Sequence, residues 1–385
     1  MSPGRGAVSK HEGMGAQVFA LITGGGTGGH VYPALALAEA LVARGHPRDS
    51  IRFVGARRGL EADAVPSAGF AIDLLPGRGL QRRLTLVNVA TAYETLSAFV
   101  QAWRLVRRFR PRVVVGVGGY ASLPCVIAAR LRRVPVVIHE QNAAPGLSNR
   151  IAVRFGARAA VSLPGTPLAG AVVTGNPVRA SMIAAATAGP KITDATAERD
   201  SRTPRALLIF GGSLGARRIN DSAIELYDLW RNRKDVSVHH VCGRRDYQSC
   251  KERLGNLRRP EDSLDYKLVE YEDHMDERYQ EASLAVCRAG AVTIAELAAT
   301  GTPAILVPLP GAPDDHQTCN ARALADIGAA AIVPDAELTG RRLAADAEVL
   351  LVDGPRRLAM SRAAAEIARP DAADRLADVV EGAAR

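Results

Sequence analysis

The sequence predicts an α/β protein of two domains, each built on a parallel sheet. Strand-length apolar runs alternate with helix-like stretches along both halves of the chain. A glycine-rich loop follows an apolar run in each half, at residues 24–30 and 211–215. The length, 385 residues, exceeds that of a usual single domain. Two strand–loop–helix units present two helix N-termini to an anion, so we expect two domains facing each other across a cleft that holds a phosphate-bearing ligand.

The predicted elements follow the same order in each half. The strands of the first half are 18–22, 51–54, 113–117, 136–138 and 172–174. Those of the second half are 206–210, 236–241, 267–271, 284–287, 304–307 and 330–333. Continuous apolar runs of this length indicate strands that helices cover on both faces. The tail, 355–385, predicts two Ala-rich helices, and we expect the second to return to the first domain.

The composition along the chain suggests the domain limits. Residues 1–16 are polar and Gly-rich without an apolar core, which predicts a disordered extension rather than a signal peptide. Residues 17–179 form the predicted N-terminal domain, and 205–366 the C-terminal domain. Between them, 180–204 breaks the strand–helix rhythm and contains Gly189-Pro190, as a linker does. Residues 367–385 form the predicted returning helix.

Charge and cysteine content limit the class of protein. The five cysteines include no Cys-x-x-Cys pair, which favours reduced thiols in a cytosolic protein. No run reaches about 18 apolar residues, so we expect a soluble or peripheral protein. Residues 1–175 hold 21 Lys and Arg against 8 Asp and Glu, whereas 176–385 hold 28 against 32. The basic half suggests nucleic acid, an anionic membrane, an anionic lipid substrate or a solvated face. No nucleic-acid-binding module is recognisable.

The first glycine-rich loop, 24–30, satisfies G-x-G-x-x-G and is open to several interpretations. A dinucleotide site that binds NAD needs an acidic residue after the second strand, but Arg57 and Arg58 stand there, which would suit NADP. A tight turn without a ligand is the plain alternative. His30 lies where the loop becomes a helix, and a histidine at the mouth of a cleft is a candidate general base.

Polar residues gather after two further strands of the first half. A second glycine cluster occupies 116–122, and His-Glu-Gln-Asn occupies 139–142. Open α/β sheets build their sites from residues at the carboxyl ends of strands. Arg179 ends the predicted domain and could clamp a phosphate or a base, or form an exposed salt bridge between domains.

In the second half, residues 287–296 form another strand–glycine–helix transition. The N–H groups of Ala291, Val292 and Thr293 would be unpaired first-turn donors that suit a pyrophosphate. Glu296 lies one turn on, where its carboxylate could accept from a ribose diol or cap the helix. His316 and Gln317 could contact sugar hydroxyls. Asp314-Asp315 lacks a completing ligand set, so we expect no metal and no bound cofactor.

These stretches resemble, in order and spacing, the MurG family of peptidoglycan N-acetylglucosaminyltransferases in glycosyltransferase family 28. The matching stretches are Gly-Gly-Thr-Gly-Gly-His at 25–30, Gly-Gly-Tyr at 118–120, His-Glu-Gln-Asn at 139–142, Gly-Asn-Pro-Val-Arg at 175–179, Gly-Gly-Ser-x-Gly-Ala at 211–216, the run 288–296 and Gln317-x-x-Asn320-Ala321. The resemblance implies the GT-B fold, two Rossmann-like domains whose parallel sheets face across a deep cleft. It also implies inverting transfer of N-acetylglucosamine from UDP-GlcNAc to the muramyl 4-hydroxyl of lipid I, giving lipid II.

The resemblance also implies which residues act. Those assigned to the UDP-GlcNAc site are Thr27, Gly28, Gly29, Asn142, Arg179, Ser213, Glu272, Ala291, Val292, Thr293, Glu296, His316 and Gln317. A backbone group at Glu272 would bind the uracil, and the loop at 27–29 would also border the acceptor. The residues assigned to the acceptor side are Gly25, Gly26, Gly118, Gly119, Tyr120 and Glu140. His30 is the candidate catalytic base.

The resemblance also suggests a function for the excess of basic residues in the first half. The arginines at issue are Arg78, Arg82, Arg83, Arg104, Arg107, Arg108, Arg110 and Arg112, interleaved at first with Leu80, Leu84, Leu86 and Val87. Such a composition suits docking on an anionic membrane surface. We therefore expect a peripheral protein on the cytoplasmic face of the bacterial cell membrane that binds UDP-GlcNAc and lipid I, and no nucleic acid.

Three alternatives remain at this point. Another UDP-sugar-dependent GT-B enzyme, such as a lipid galactosyltransferase or a sugar 2-epimerase, would share the donor features but not the motifs at 118–120 and 139–142. An NADP oxidoreductase would leave the second glycine loop and Glu296 unexplained. A non-catalytic binding protein on the same fold would have no use for the polar site residues.

Overall fold

A computed structural model of the chain describes residues 17–57, 59–76, 87–119, 121–187, 204–212 and 215–385. The predicted N-terminal extension, most of the predicted linker, Tyr120 and Ser213 therefore lie outside the described residues.

The first half alternates strands and helices. Its elements are β1 (Ala20–Thr23), α1 (Gly28–Ala43), β2 (Ile51–Ala56), α2 (Glu61–Ser67), β3 (Ala71–Leu75), α3 (Val87–Phe109), β4 (Val113–Gly116), α4 (Ser122–Leu131), β5 (Val136–Glu140), α5 (Leu147–Arg154), β6 (Arg158–Val161), β7 (Val172–Val173) and α6 (Ala180–Thr187). A short 3-10 helix, Arg48–Ser50, precedes β2.

The second half repeats the alternation. Its elements are β8 (Arg205–Phe210), α7 (Arg217–Trp230), β9 (Val236–Val241), α8 (Tyr247–Leu257), β10 (Asp265–Val269), α9 (Met275–Glu281), β11 (Leu284–Cys287), α10 (Ala291–Thr300), β12 (Ala304–Leu306), α11 (His316–Ala325), β13 (Ala330–Ile332), α12 (Gly340–Val352), α13 (Gly354–Ile367) and α14 (Ala372–Ala384). Short 3-10 helices occupy Pro313–Asp315 and Asp335–Glu337.

The two sheets have the same construction. The first has seven strands in the order β3-β2-β1-β4-β5-β6-β7, and the second has six in the order β10-β9-β8-β11-β12-β13. Every pair of neighbouring strands is parallel. The strand order reverses at β1 and at β8, and a glycine-rich loop follows each of these strands. Ligands of open α/β sheets bind at such switch points, so the topology places both loops at binding positions. The predicted α/β fold class with two Rossmann-like domains is confirmed.

The strands form where apolar runs can be buried on both faces. All four residues of β1, β4 and β11 are buried, and helices cover the sheets to form the cores. Two strands, β3 and β6, have no counterpart among the predicted ones. The edge strand β3 is largely half-exposed and contains Asp73, and β6 begins with exposed Arg158, so neither presents a continuous apolar run.

Two helices connect the halves. The segment predicted as a linker begins with α6, which packs on α9 and α10 and buries Met182 in the core of the second half. At the end of the chain, α14 packs on α1 and contributes Leu376 and Val380 to a core of the first half. Arg44 at the end of α1 forms ion pairs with α14, including one with Asp378. No helix in the described part of the chain is both long and apolar enough to cross a membrane.

Candidate active site

A cavity of about 290 Å³ lies between the two halves, where both glycine-rich loops end. Two helix N-termini border it, that of α1 from the first half and that of α10 from the second. Its wall is formed by Thr27, Gly28, Gly29, Tyr32, Arg179, Phe210, Gly212, Val241, Glu270, Tyr271, Glu272, Met275, Gly290, Ala291, Val292, Thr293 and Glu296. The structure thus brings nine of the predicted donor residues around one space.

The start of α10 supplies the anion-binding part of the wall. Gly290 is the N-cap residue in extended conformation, and it has no side chain to cap the helix. The first N–H groups of a helix lack intrahelical acceptors and carry the positive end of its dipole. Ala291, Val292 and Thr293 therefore present donors where a diphosphate would lie. Gly212 of the second loop, at φ +91°, forms another part of the wall.

Glu296 lies one turn further along α10, with only 6% of its surface exposed. The hydroxyl of Tyr279 donates to Oε2 at 3.1 Å, and Nη2 of Arg179 donates to Oε1 at 3.3 Å. Burial raises the pKa of Glu296, while Arg179 and Tyr279 act in the opposite direction. A buried carboxylate on the cavity wall is an acceptor suited to hydroxyl groups.

Two tyrosines close the cavity, one from each half. The guanidinium of Arg179 lies 5.4 Å from the ring centroid of Tyr32 on α1. Tyr271 of the second half lines the same cavity, and burial is the main cause that raises the pKa of Tyr32. The sequence analysis missed both tyrosines. The position of Tyr32, one helical turn after Gly28, is a signal that could have found it.

Both carboxylate oxygens of Glu272 are engaged by neighbouring residues. Its Oε1 accepts from the backbone N–H of His274 at 3.0 Å, and its Oε2 is 3.0 Å from Nε2 of His239. Because these contacts occupy the carboxylate, the backbone around 270–272 remains for a ligand in the cavity.

His30 stands in the first turn of α1, half-buried at the edge of this space. Its Nδ1 is 3.4 Å from Oγ1 of Thr27, and a Cβ at Gly118 would lie 2.9 Å from its Nε2. Burial lowers the pKa of His30 below the usual histidine value, while the charges of Glu140 and Glu61 oppose the shift. The imidazole is therefore neutral at neutral pH and able to accept a proton.

The predicted acceptor-side glycines meet beside His30. The N–H of Gly25 donates to the carbonyl of Gly118 at 3.3 Å. Gly119, at φ +82°, approaches the same segment so closely that a Cβ there would clash with the carbonyl of Gly25. The backbone of Gly26 turns the other way and donates to Glu61.

Glu140 is buried and organises the loop that follows β5. Its two carboxylate oxygens accept from the N–H groups of Asn142 and Gly146 and from the side chains of Asn142 and Asn149, at 2.8–3.2 Å. Asn142 in turn accepts at Oδ1 from Asn320 of α11 at 3.1 Å. Asn320 also accepts from the N–H of Ala143, so it joins the second half to the first. The sequence analysis quoted Asn320 in a motif but gave it no role.

His316 and Gln317 begin α11, outside the described wall of the cavity. Nδ1 of His316 is 2.8 Å from the carbonyl of Pro313, and Gln317 accepts from the N–H of Leu309 at 3.0 Å. Beside burial, the neighbouring His316 contributes to the lowered pKa of His30. Asp314 and Asp315 form a turn at positive φ. Among the described residues, no group of three or more His, Cys, Asp or Glu could hold a metal ion.

Comparison with known proteins gives a consistent result. The family models described as glycosyltransferase family 28 N-terminal domain and C-terminal domain match residues 20–161 and 206–376. Curated relatives from Salinibacter ruber and Alkalilimnicola ehrlichii are 42% and 41% identical, cover 93% of this chain each, and are covered over 94% and 97% of their own length. Both are named UDP-N-acetylglucosamine–N-acetylmuramyl-(pentapeptide) pyrophosphoryl-undecaprenol N-acetylglucosamine transferase.

A solved structure supports the same relationship. The crystal structure of Acinetobacter baumannii MurG superposes with a TM-score of 0.75 at 29% identity. The match covers 94% of this chain and 99% of the other. The two halves of the chain thus correspond to the two halves of that protein.

Proposed function

This chain belongs to glycosyltransferase family 28, and we propose that its cleft carries out inverting sugar transfer with His30 as the general base. The chain is an N-acetylglucosamine transferase: it transfers N-acetylglucosamine from UDP-GlcNAc to the 4-hydroxyl of the muramyl sugar of lipid I, and the product is lipid II. The observation that carries the assignment of roles is the cavity bordered by two helix N-termini and by the buried Glu296.

The donor is held by the second half. The diphosphate of UDP-GlcNAc lies against the N–H groups of Ala291, Val292 and Thr293, where the helix dipole favours negative charge. The carboxylate of Glu296 accepts from the ribose hydroxyls, which compete with Arg179 for Oε1. The backbone beside Glu272 binds the uracil, because the side chain is already engaged.

The reaction is a single displacement. The muramyl 4-hydroxyl attacks C1 of the donor sugar, the C1–O bond to the diphosphate breaks, and the electron pair leaves with UDP. His30 takes the hydroxyl proton, for which its depressed pKa keeps the imidazole neutral. The contact of Asn320 with Asn142 and Ala143 holds the halves together while the substrates are aligned.

The departing UDP is stabilised by the protein without a metal ion. The N-terminus of α10 supplies preorganised donors, and Arg179 supplies a full positive charge from across the cleft. Such groups act at the point where negative charge develops during bond breaking. Arg179 exchanges its contact with Glu296 for one with the diphosphate.

The first half docks on an anionic membrane. On α3, Leu96 and Val100 are exposed one turn apart, and Arg104 follows at the same spacing. Arg107 and Arg108 are exposed beside them, whereas the predicted basic residues at 78–83 and the apolar ones at 80–86 lie outside the described residues. Apolar contact plus roughly 1 kcal/mol for each nearby arginine holds the enzyme where lipid I is.

Vesicle binding tests the membrane proposal. We expect binding that rises with the anionic-lipid fraction, falls with salt, and weakens in the double variant Arg107→Gln/Arg108→Gln. The matched control is Arg341→Gln/Arg356→Gln, which removes two exposed charges from the second half. Salt-insensitive binding, or equal weakening in both double variants, would argue against this surface.

The activity is tested directly with purified protein, UDP-GlcNAc and a short-chain lipid I analogue, without added metal. Mass spectrometry should show an acceptor heavier by one N-acetylhexosamine, together with free UDP. The His30→Ala variant provides the background. Saturable UDP-GlcNAc binding without transfer would retain the donor site but reject this acceptor.

A further inference from the structure

The carboxylate of Glu61 is buried directly beneath the first glycine-rich loop. Only 2% of the residue is exposed, although glutamate is rarely buried in this way. Its Oε2 accepts from the N–H of Gly26 at 2.7 Å, and its Oε1 accepts from the N–H of Ala56 at 2.8 Å. One side chain therefore ties the end of β2 to the loop that begins α1.

Three glycines make room for this carboxylate. A Cβ at Gly25, Gly55 or Gly59 would clash with the side chain of Glu61 in each case. These glycines come from the loop after β1, from β2 itself and from the turn before α2. Three backbone segments thus leave space for the one carboxylate of Glu61. The sequence analysis did not identify Glu61.

Glu61 also acts on His30. The residue that it clamps, Gly26, immediately precedes the N-cap Thr27, and His30 stands in the first turn of that helix. The titratable groups around the imidazole are Glu140, Glu61, His316 and the neutral His139. Glu61 and Glu140 favour the protonated imidazole, His316 opposes it, and the backbone of Gly25 adds a favourable hydrogen bond.

We propose that Glu61 is a positioning residue for the transfer reaction: it fixes the first glycine-rich loop, aligns the imidazole of His30 with the acceptor hydroxyl, and stabilises the imidazolium once the proton has moved from that hydroxyl to the ring. The inference rests on the proposed function, in which His30 is the base. Glu61 touches neither substrate and acts through the loop and the histidine.

The decisive variant is Glu61→Gln, which keeps the shape but removes the charge and one acceptor. We expect kcat to fall by roughly 10- to 100-fold, the scale of a small misplacement of a catalytic group. The dissociation constant for UDP-GlcNAc should change less than about twofold, because the donor groups of α10 are untouched. A matched control is Glu225→Gln, which likewise removes a carboxylate that accepts from a backbone N–H at 2.7 Å, that of Gly340; neither residue lines the cavity.

The pH profile separates positioning from a purely structural role. Loss of the negative charge should move the acid limb of kcat/KM to lower pH, since the imidazole then gives up its proton more readily. Glu61→Asp keeps the charge and should keep the limb near its original position while kcat falls, because the shorter side chain cannot reach both N–H groups. If Glu61→Gln does not fold, Glu61→Asp alone decides: a full kcat would overturn the proposal.

A double variant isolates the path through His30. In the His30→Ala background, Glu61→Gln should cost less than about threefold in kcat, because the group it positions is gone. Two independent losses that multiply would overturn the proposal. A His30→Ala variant that keeps its activity would instead remove the base assignment of the proposed function. An unchanged kcat and acid limb in Glu61→Gln, with His30→Ala inactive, would reject the role of Glu61 alone.

Discussion

In the first half of the molecule, two buried carboxylates hold the loops after β1 and β5, whereas in the second half the cleft is lined by a helix N-terminus whose donors are left for a ligand. Glu61, at the start of α2, accepts from the N–H groups of Gly26 in the loop after β1 and of Ala56 at the end of β2. Glu140 accepts from N–H groups of the loop that follows its own strand. In the other half, the connection between β11 and α10 ends at Gly290, an N-cap residue without a side chain. The same strand–loop–helix unit therefore serves two different electrostatic purposes.

The difference matches the charges that move in the reaction. In the proposed reaction a proton moves toward the first half, where two carboxylates favour a positive imidazole at His30. Negative charge then moves toward the second half with the departing diphosphate, where the N-terminus of α10 favours an anion. On this proposal the two halves share a topology, and the choice of carboxylate or open helix terminus gives each half its role.

The comparison is tested most strongly by His30→Ala. Loss of the general base should lower kcat by about 10²- to 10⁴-fold, while donor binding in the second half remains. Steady-state rates with UDP-GlcNAc and a lipid I analogue provide the measurement. A loss below tenfold would move the base to another residue.

A decrease in pH should lower the stability of both halves, because each half buries a neutral histidine. Burial lowers the pKa of His139 to about 4 and that of His240 to about 3. The unfolded chain takes up these protons near pH 6.5 and the folded chain does not, so stability falls as pH decreases from about 6 to 4. Each histidine should contribute roughly 1.4 kcal/mol per pH unit to the free energy of unfolding.

Chemical denaturation at pH 7 and pH 5 measures this effect. His240→Gln should reduce the pH dependence of the second half and leave that of the first. An identical pH dependence in the variant and the parent would show that His240 is not the group responsible.

Glu296→Ala tests the donor side alone. Removal of the ribose acceptor should weaken donor use by roughly 1.5–3 kcal/mol, the range for a hydrogen bond to a charged group. The KM for UDP-GlcNAc should rise accordingly, and direct titration with UDP should show the same loss. Tyr279→Phe, which removes only the 3.1 Å bond to Oε2, is the milder control. An unchanged KM in Glu296→Ala would refute the ribose assignment.

A pair of glycine variants, for which we expect the smallest effects, tests the loops on the acceptor side. Gly26→Ala and Gly119→Ala both force an alanine to positive φ, at a cost of about 1–2 kcal/mol each. The Cβ at position 26 meets no atom within 4 Å, whereas that at position 119 clashes with the carbonyl of Gly25. Gly119→Ala should therefore raise the acceptor KM roughly tenfold more than Gly26→Ala does. An equal change of the acceptor KM in both variants would mean that the close approach of Gly119 to Gly25 does not affect acceptor binding.

Most of the fold could be predicted from the sequence, because a buried strand is recognisable as a short run of apolar residues. Apolar runs such as 113–117 and 284–287 became β4 and β11. Helix α6 was not predicted within the segment assigned as a linker. It packs on α9 and α10, which are distant in the chain, and a local pattern does not show such partners. The edge strand β3 was missed for the same reason, because pairing with β2 rather than its own pattern makes it a strand.

The site divides in a similar way. Local motifs predicted Ala291 to Thr293 and Glu296 as donor-site residues, and the structure places these residues in the cavity wall. Tyr32, Tyr271 and Glu61 were not predicted, since their surroundings are formed by residues of other elements. The roles of all these residues stay predictions. Ser213 and Tyr120 stay predictions, as they lie outside the described residues.

The sequence by itself determined two parallel-sheet domains, their glycine-rich loops and the polar residues that follow the strands, because these depend on short-range pattern and turn chemistry. Only the tertiary structure decided which of these residues share a cavity and which carboxylates hold loops in place. The reason is physical: a charge buried at 2% exposure is tolerable only where donors from several segments converge on it, as they do at Glu61, and that convergence is created by the packing of the sheet.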